Sequence, residues 1–147
     1  MNESELFMRR FGMILIILWI GAMPALAESG ITEYRGKIDE KTSSMRYPVK
    51  LELGEGFVAI AEATSGDLDT QLFVYNAQDD ILAHNDDRDE GDYNSEVAFI
   101  ADASDTYFLE ITSYEETMGD YYLTVDIMPA DDVQDNSRIG FSGVATF

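Results

Sequence analysis

A two-residue rhythm of apolar side chains recurs along this chain, with almost no helical periodicity beside it. Val49, Leu51 and Leu53 alternate with Lys50 and Glu52, Leu72 and Val74 with Phe73 and Tyr75, and Val97 and Phe99 with Glu96 and Ala98. Tyr107, Leu109 and Ile111 alternate with Phe108, Glu110 and Thr112; Tyr121, Leu123 and Val125 alternate with Tyr122, Thr124 and Asp126. Successive side chains of a strand point to opposite faces, so each run buries one face and shows the other to water. After residue 28 no apolar face of helical period exceeds two turns. Turn-forming clusters separate the runs: Gly54-Glu55-Gly56, Ser65-Gly66-Asp67, Asn76 to Asp80, Asn85 to Asn94, and Met118-Gly119-Asp120. Strands are expected at 32–38, 46–53, 57–63, 70–76, 80–84, 95–101, 105–113 and 120–128. Short strands at this spacing predict an all-β antiparallel sandwich or barrel.

The first 27 residues read as a processing segment rather than part of that fold. Arg9 and Arg10 precede an apolar run from Phe11 to Met23, and Ala25-Leu26-Ala27 supplies the small-x-small pattern of a signal-peptidase site. The run is shorter than the roughly 20 helical residues a bilayer core requires. Residues 1–27 are therefore expected to be a signal peptide, with export to a periplasm or beyond and no membrane insertion afterwards. Residues 28–130 form the expected β-sandwich domain, and 131–147 an acidic linker and tail. Pro129 to Asn136 reads as the linker; Arg138 to Phe147 is left open between a last strand and a loose end.

Charge narrows the partners. The chain carries 29 Asp+Glu against nine Lys+Arg, a net charge of −20, and removing residues 1–27 leaves that balance unchanged. Like-charge repulsion argues against nucleic acid and anionic membrane surfaces as partners and favours cations or basic protein surfaces. With no cysteine in the chain, an exported fold here cannot be held by disulfides, which makes a bound metal one alternative.

The acidic loops are the most informative chemistry. Asp67-Leu68-Asp69 precedes one expected strand, and the loop from Asn85 to Ser95 packs five carboxylates and one Arg into positions 86–92. Crowded carboxylates repel by about 1 kcal/mol per pair in water; a hard cation such as calcium removes that penalty by taking six to eight oxygen ligands. The loop does not match the EF-hand pattern, since Glu90 stands where glycine is required. Spacing alone leaves calcium binding level with a solvated loop that keeps the chain soluble.

Catalytic residues are not found. His84 is the lone imidazole, no Gly-x-Ser-x-Gly elbow accompanies it, and zinc would need more nitrogen or sulfur ligands than the chain supplies. Aromatic residues outside the expected core face are the other lead. Phe108 and Tyr122 fall opposite their strands' core residues and Tyr114 sits at a strand end, so these are the candidates for surface binding by stacking and hydrogen bonding.

The order of features from Asp67-Leu68-Asp69-Thr70-Gln71-Leu72-Phe73-Val74-Tyr75, through Ile81-Leu82-Ala83 and Asn85-Asp86-Asp87, to Thr106-Tyr107-Phe108-Leu109 and Gly119-Asp120-Tyr121-Tyr122-Leu123-Thr124-Val125 resembles the bacterial pre-peptidase C-terminal domain. That family is itself similar in fold to the collagen-binding domains of secreted collagenases. The resemblance spans roughly residues 31–128 and implies a jelly-roll β-sandwich of about eight strands. It also implies calcium binding, with Asp67, Asp69, Asn85, Asp86 and Asp87 at the matching positions. No residues matching the calcium ligands of the collagen-binding linker are found, and collagen binding is not carried over. The expected function is that of an exported, monomeric, non-catalytic module contacting an extracellular polymer or an exported protein. The alternative is a secretion or stability aid for a separately encoded secreted peptidase.

Overall fold

A computed structural model describes residues 30–134. The expected signal peptide and the segment Arg138 to Phe147 lie outside the described residues. The described residues form eight strands, β1 (Gly30–Ile38), β2 (Ser44–Leu51), β3 (Gly56–Ala63), β4 (Thr70–Tyr75), β5 (Ile81–Asn85), β6 (Ser95–Ile100), β7 (Asp105–Ser113) and β8 (Gly119–Met128). A 3-10 turn, Tyr114–Glu116, follows β7, and a short helix α1, Ala130–Gln134, follows β8. Each predicted strand is present, with ends displaced by at most two residues.

The strands form two four-stranded antiparallel sheets, in the orders β1-β8-β3-β6 and β2-β7-β4-β5. Only β4 and β5 are consecutive strands within one sheet; every other connection crosses between sheets. That order is the jelly roll.

Alternation sorts the side chains. Leu72 and Val74 of β4, Leu109 and Ile111 of β7, Phe57 and Ala59 of β3, and Leu123 and Val125 of β8 meet between the layers, all buried. Each fully buried large apolar side chain contributes about 1.5–3 kcal/mol. Two polar clusters are also enclosed, and both are satisfied. Thr70 Oγ1 lies 2.8 Å from Ser95 Oγ and accepts the Ser95 N–H at 2.9 Å, tying β4 to β6. Tyr47 and Tyr121 join across the layers through their hydroxyls at 2.7 Å. Burial, then that hydrogen bond, pushes the Tyr121 hydroxyl far above the ordinary tyrosine range. A side chain at Gly36, the β1 neighbour of Tyr121, would overlap that phenol.

Two sequence expectations are corrected. Leu53 is not a core residue but 65% exposed. Register explains it: β2 ends where Leu51 faces Asp105, the first residue of its partner β7. The chain then turns through Gly54 at φ 85°, with the Leu53 N–H donating to Ser104 Oγ and the Glu52 N–H to Glu55 Oε2. In the expected linker, Ala130–Gln134 instead makes one helical turn whose Asp132 and Val133 N–H groups donate to Pro129 O.

Candidate metal centre and aromatic face

Register brings three chain segments to one end of the β2-β7-β4-β5 sheet. Leu72 faces Asn85 and Thr70 faces Ser113, so the segment before β4, the end of β5 and the turn after β7 share one rim. The Tyr114 N–H donates to Asp69 O at 2.9 Å, and the Asp69 N–H to Thr117 Oγ1 at 2.9 Å. Upstream, Gly66 adopts φ 77° against the backbone of Met118 and Gly119, where a side chain would collide. Glu115 and Glu116 hold left-handed backbone, φ 48° and 58°. Such conformations cost on the order of 1–3 kcal/mol each and gather at ligand clamps and switches.

Two buried oxygens on this rim have no hydrogen-bond partner among the described residues: Asp69 Oδ1 and Asn85 Oδ1. Leaving such an atom unsatisfied costs about 1–3 kcal/mol. Burial is the largest cause raising the Asp69 carboxyl above the usual carboxylate range, followed by the charges of Asp87, Asp86 and Glu115. Of the five predicted ligands, Asp69, Asn85, Asp86 and Asp87 lie along this rim, where the charges of Asp86 and Asp87 act on Asp69. Asp67 is directed elsewhere: its Oδ1 accepts the Met118 N–H at 3.3 Å, and it is not among the charges acting on Asp69. Glu115 is a member that sequence reasoning missed, because its approach depends on the turn after β7 rather than on any local motif.

Among the described residues, no three Asp, Glu, His or Cys side chains converge closely enough to constitute a metal site by themselves. The rim is a partial cradle, and one of its two orphaned oxygens belongs to an asparagine. Its donors are all hard oxygens, the kind calcium takes and zinc does not favour. The fit to calcium is therefore sound in donor chemistry.

The rest of the same loop behaves differently. Arg88 Nε and a terminal nitrogen contact Asp92 Oδ2 at 2.9 and 2.7 Å, while Asn94 donates to Asp92 Oδ1 through its backbone N–H and side-chain amide. The Asn94 backbone hydrogen bond, then the Arg88 contact, holds the Asp92 carboxyl below its ordinary value.

The predicted surface aromatics do not form one row. Tyr122 lies on β8 beneath the Arg35 guanidinium, 4.5 Å from its ring centre, whereas Phe108 lies on β7 in the other sheet. Tyr114 is 46% exposed at the acidic rim. Phe108 has neighbours that the sequence did not single out. It faces Tyr75 across β7 and β4, Phe73 stacks on both Tyr75 and His84 at 6.2 and 5.6 Å, and Arg46 caps the Tyr75 ring at 4.4 Å. Alternation alone placed Phe73 and Tyr75 outward; the strand register that lines them up with Phe108 and His84 is not local information. Among the described residues His84 forms no ion pair with a carboxylate, and its ring stacks on Phe73.

Solved structures with the same architecture are known. One is PliG of Aeromonas hydrophila, a periplasmic inhibitor of g-type lysozyme, 14% identical, covering 72% of this chain and 93% of its own, with a TM-score of 0.54. Another is the pre-peptidase C-terminal domain of a Bacillus anthracis collagenase, 15% identical, covering 65% and 88%, also with a TM-score of 0.54. The chain shares the fold of that domain. A third is the Yersinia pseudotuberculosis-derived mitogen, 14% identical, covering 68% and 87%, with a TM-score of 0.51. No family model and no curated protein sequence matches the chain.

Proposed function

We propose that this chain is an exported, non-catalytic binding module that docks an extracellular polymer or another exported protein on the outer aromatic face of its β2-β7-β4-β5 sheet. Calcium at the neighbouring rim, held by Asp69, Asn85, Asp86 and Asp87, staples the loops at one end of that sheet. The observation that carries the reading is the stack of Phe73, Tyr75 and His84 on the solvent side of a two-layer sandwich. Rigid, partly exposed rings of this kind supply contact area at little entropic cost. Support also comes from two neighbours in fold, one an enzyme inhibitor and the other a domain of an enzyme.

The test is retention of the protein on insoluble collagen, chitin and cell wall, beside capture of proteins from the exported fraction. Phe73→Ala with Tyr75→Ala is expected to lower retention or capture at least tenfold while the melting curve stays cooperative. Binding that survives the double substitution rejects this face. Stabilisation or improved secretion of a co-expressed peptidase, without retention on any polymer, instead supports the accessory reading, which the likeness to a collagenase domain favours.

A further inference from the structure

The outer face of the other sheet has an unusual central strand. Phe57, Ala59 and Ala61 of β3 point into the core, yet Val58 and Ile60, which point outward, are apolar and half-buried. A strand that is apolar on both faces is normally covered on both. On the outer strands of this sheet, Ile31 of β1 is 63% and Ile100 of β6 45% exposed. In the register, Ile31, Asp126, Val58 and Ala98 form one row across all four strands. Ile31, Val58, Ile60 and Asp126 line a groove of about 630 Å³ whose rim includes Pro129 and Asp132. Asp126 is exposed there and makes no ion pair with another described residue.

The chain itself leads to this groove. Helix α1 folds over the start of β3, with Ala130 and Val133 against Gly54 and Gly56. Residues 135–147 follow, and extended they reach about 40 Å; three interstrand spacings of about 4.8 Å cross the whole sheet. Their composition fits the surface. Arg138 to Phe147 contains no acidic residue in a chain of net charge −20, and it supplies one cation together with Ile139, Phe141, Val144 and Phe147.

We infer that the segment Arg138 to Phe147 docks in this groove of its own chain, laying its apolar side chains over Val58 and Ile60 with Arg138 against Asp126. The inference is independent of the binding role proposed for the opposite sheet.

The absence of native cysteine makes the test direct. Ile60→Cys is combined in the full chain with Ile139→Cys, Phe141→Cys or Val144→Cys in turn, and the protein is oxidised mildly. At least one pair is expected to form an intrachain disulfide in a monomer. Disulfide-linked dimers would assign the groove to a second copy, and no disulfide in any pair would leave the segment elsewhere; either result overturns the inference. A chain ending at Gln134 gives a second readout. It is expected to bind more of an apolar-surface dye and to melt about 5 °C lower, and a dye response and melt like those of the full chain also overturn it. Should that shortened chain fail to fold, the disulfide pairs decide.

Discussion

Asp69 and Asp92 sit in neighbouring acidic loops and have opposite fates. Asp92 is satisfied from within its loop by Arg88 and Asn94, and its carboxyl is held low. Asp69 meets Asp86, Asp87 and Glu115, keeps a buried oxygen without a partner, and has its carboxyl pushed up. The count of acidic residues therefore does not mark a site. What distinguishes one loop from the other is whether the protein supplies the counter-charge itself or leaves it to something else.

Calcium should break the symmetry most strongly. A ligand that binds only the folded state, at a hundred times its dissociation constant, stabilises by about 2.7 kcal/mol, which raises the melting temperature by about 10 °C in a domain of this size. Asp69→Ala and Asp86→Ala should each abolish the rise on adding millimolar calcium, whereas Asp92→Ala should retain it. Identical melts of the parent protein in calcium and in chelator would reduce the rim to a solvated surface.

Two glycines sharpen the same contrast at the backbone. Gly66, before the Asp69 segment, and Gly91, in the self-satisfied loop, both have positive φ, but only Gly66 is crowded by other backbone. Gly66→Ala should cost about 2 kcal/mol or more through strain and overlap, and Gly91→Ala about 1 kcal/mol through strain alone. Equal costs in denaturant titrations would mean that the strand entrance is no more constrained than the open loop.

How much of this was legible beforehand follows the range of each interaction. The strands were, because alternation is local; Leu53 misled because the end of β2 is set by where β7 begins. Asp69 and Asn85 to Asp87 read as ligand types in the sequence, but their place on one rim depends on Leu72 facing Asn85, a pairing the sequence does not display. Asp67 matched the same motif and was drawn away by the Met118 N–H. Alternation groups Phe108 with Tyr122, on the opposite sheet, rather than with Tyr75 and Phe73, because it sorts inside from outside without saying which outside.

Acid titration should separate the two carboxylates by sign. A raised folded-state value means the native protein binds more protons than the unfolded chain just above the ordinary aspartate range, so Asp69 destabilises the calcium-free fold at neutral pH. Asp69→Asn should therefore melt above the parent in chelator at pH 7, the gap closing as pH falls toward the unfolded-state value of about 4. Asp92 is the reverse: its lowered value gives stability present above that range and lost as pH falls through the folded-state value. Asp92→Asn should melt below the parent at pH 7 and converge with it in stronger acid. Shifts of the same sign would show that both loops feel only the overall negative charge.

Asp67→Asn should have the smallest effect, and that smallness is informative. Asp67 is exposed, and the one hydrogen bond of its side chain, from the Met118 N–H at 3.3 Å, can be kept by an asparagine carbonyl. A surface change of this kind falls within about 0.5 kcal/mol. Calcium-induced stabilisation should persist at its parental size, because Asp67 does not contribute to the field that raises Asp69. Loss of that stabilisation would mean that ion binding turns Asp67 away from Met118 and into the rim. The cradle would then be completed by rearrangement of the turn at Gly66 rather than standing ready in the fold.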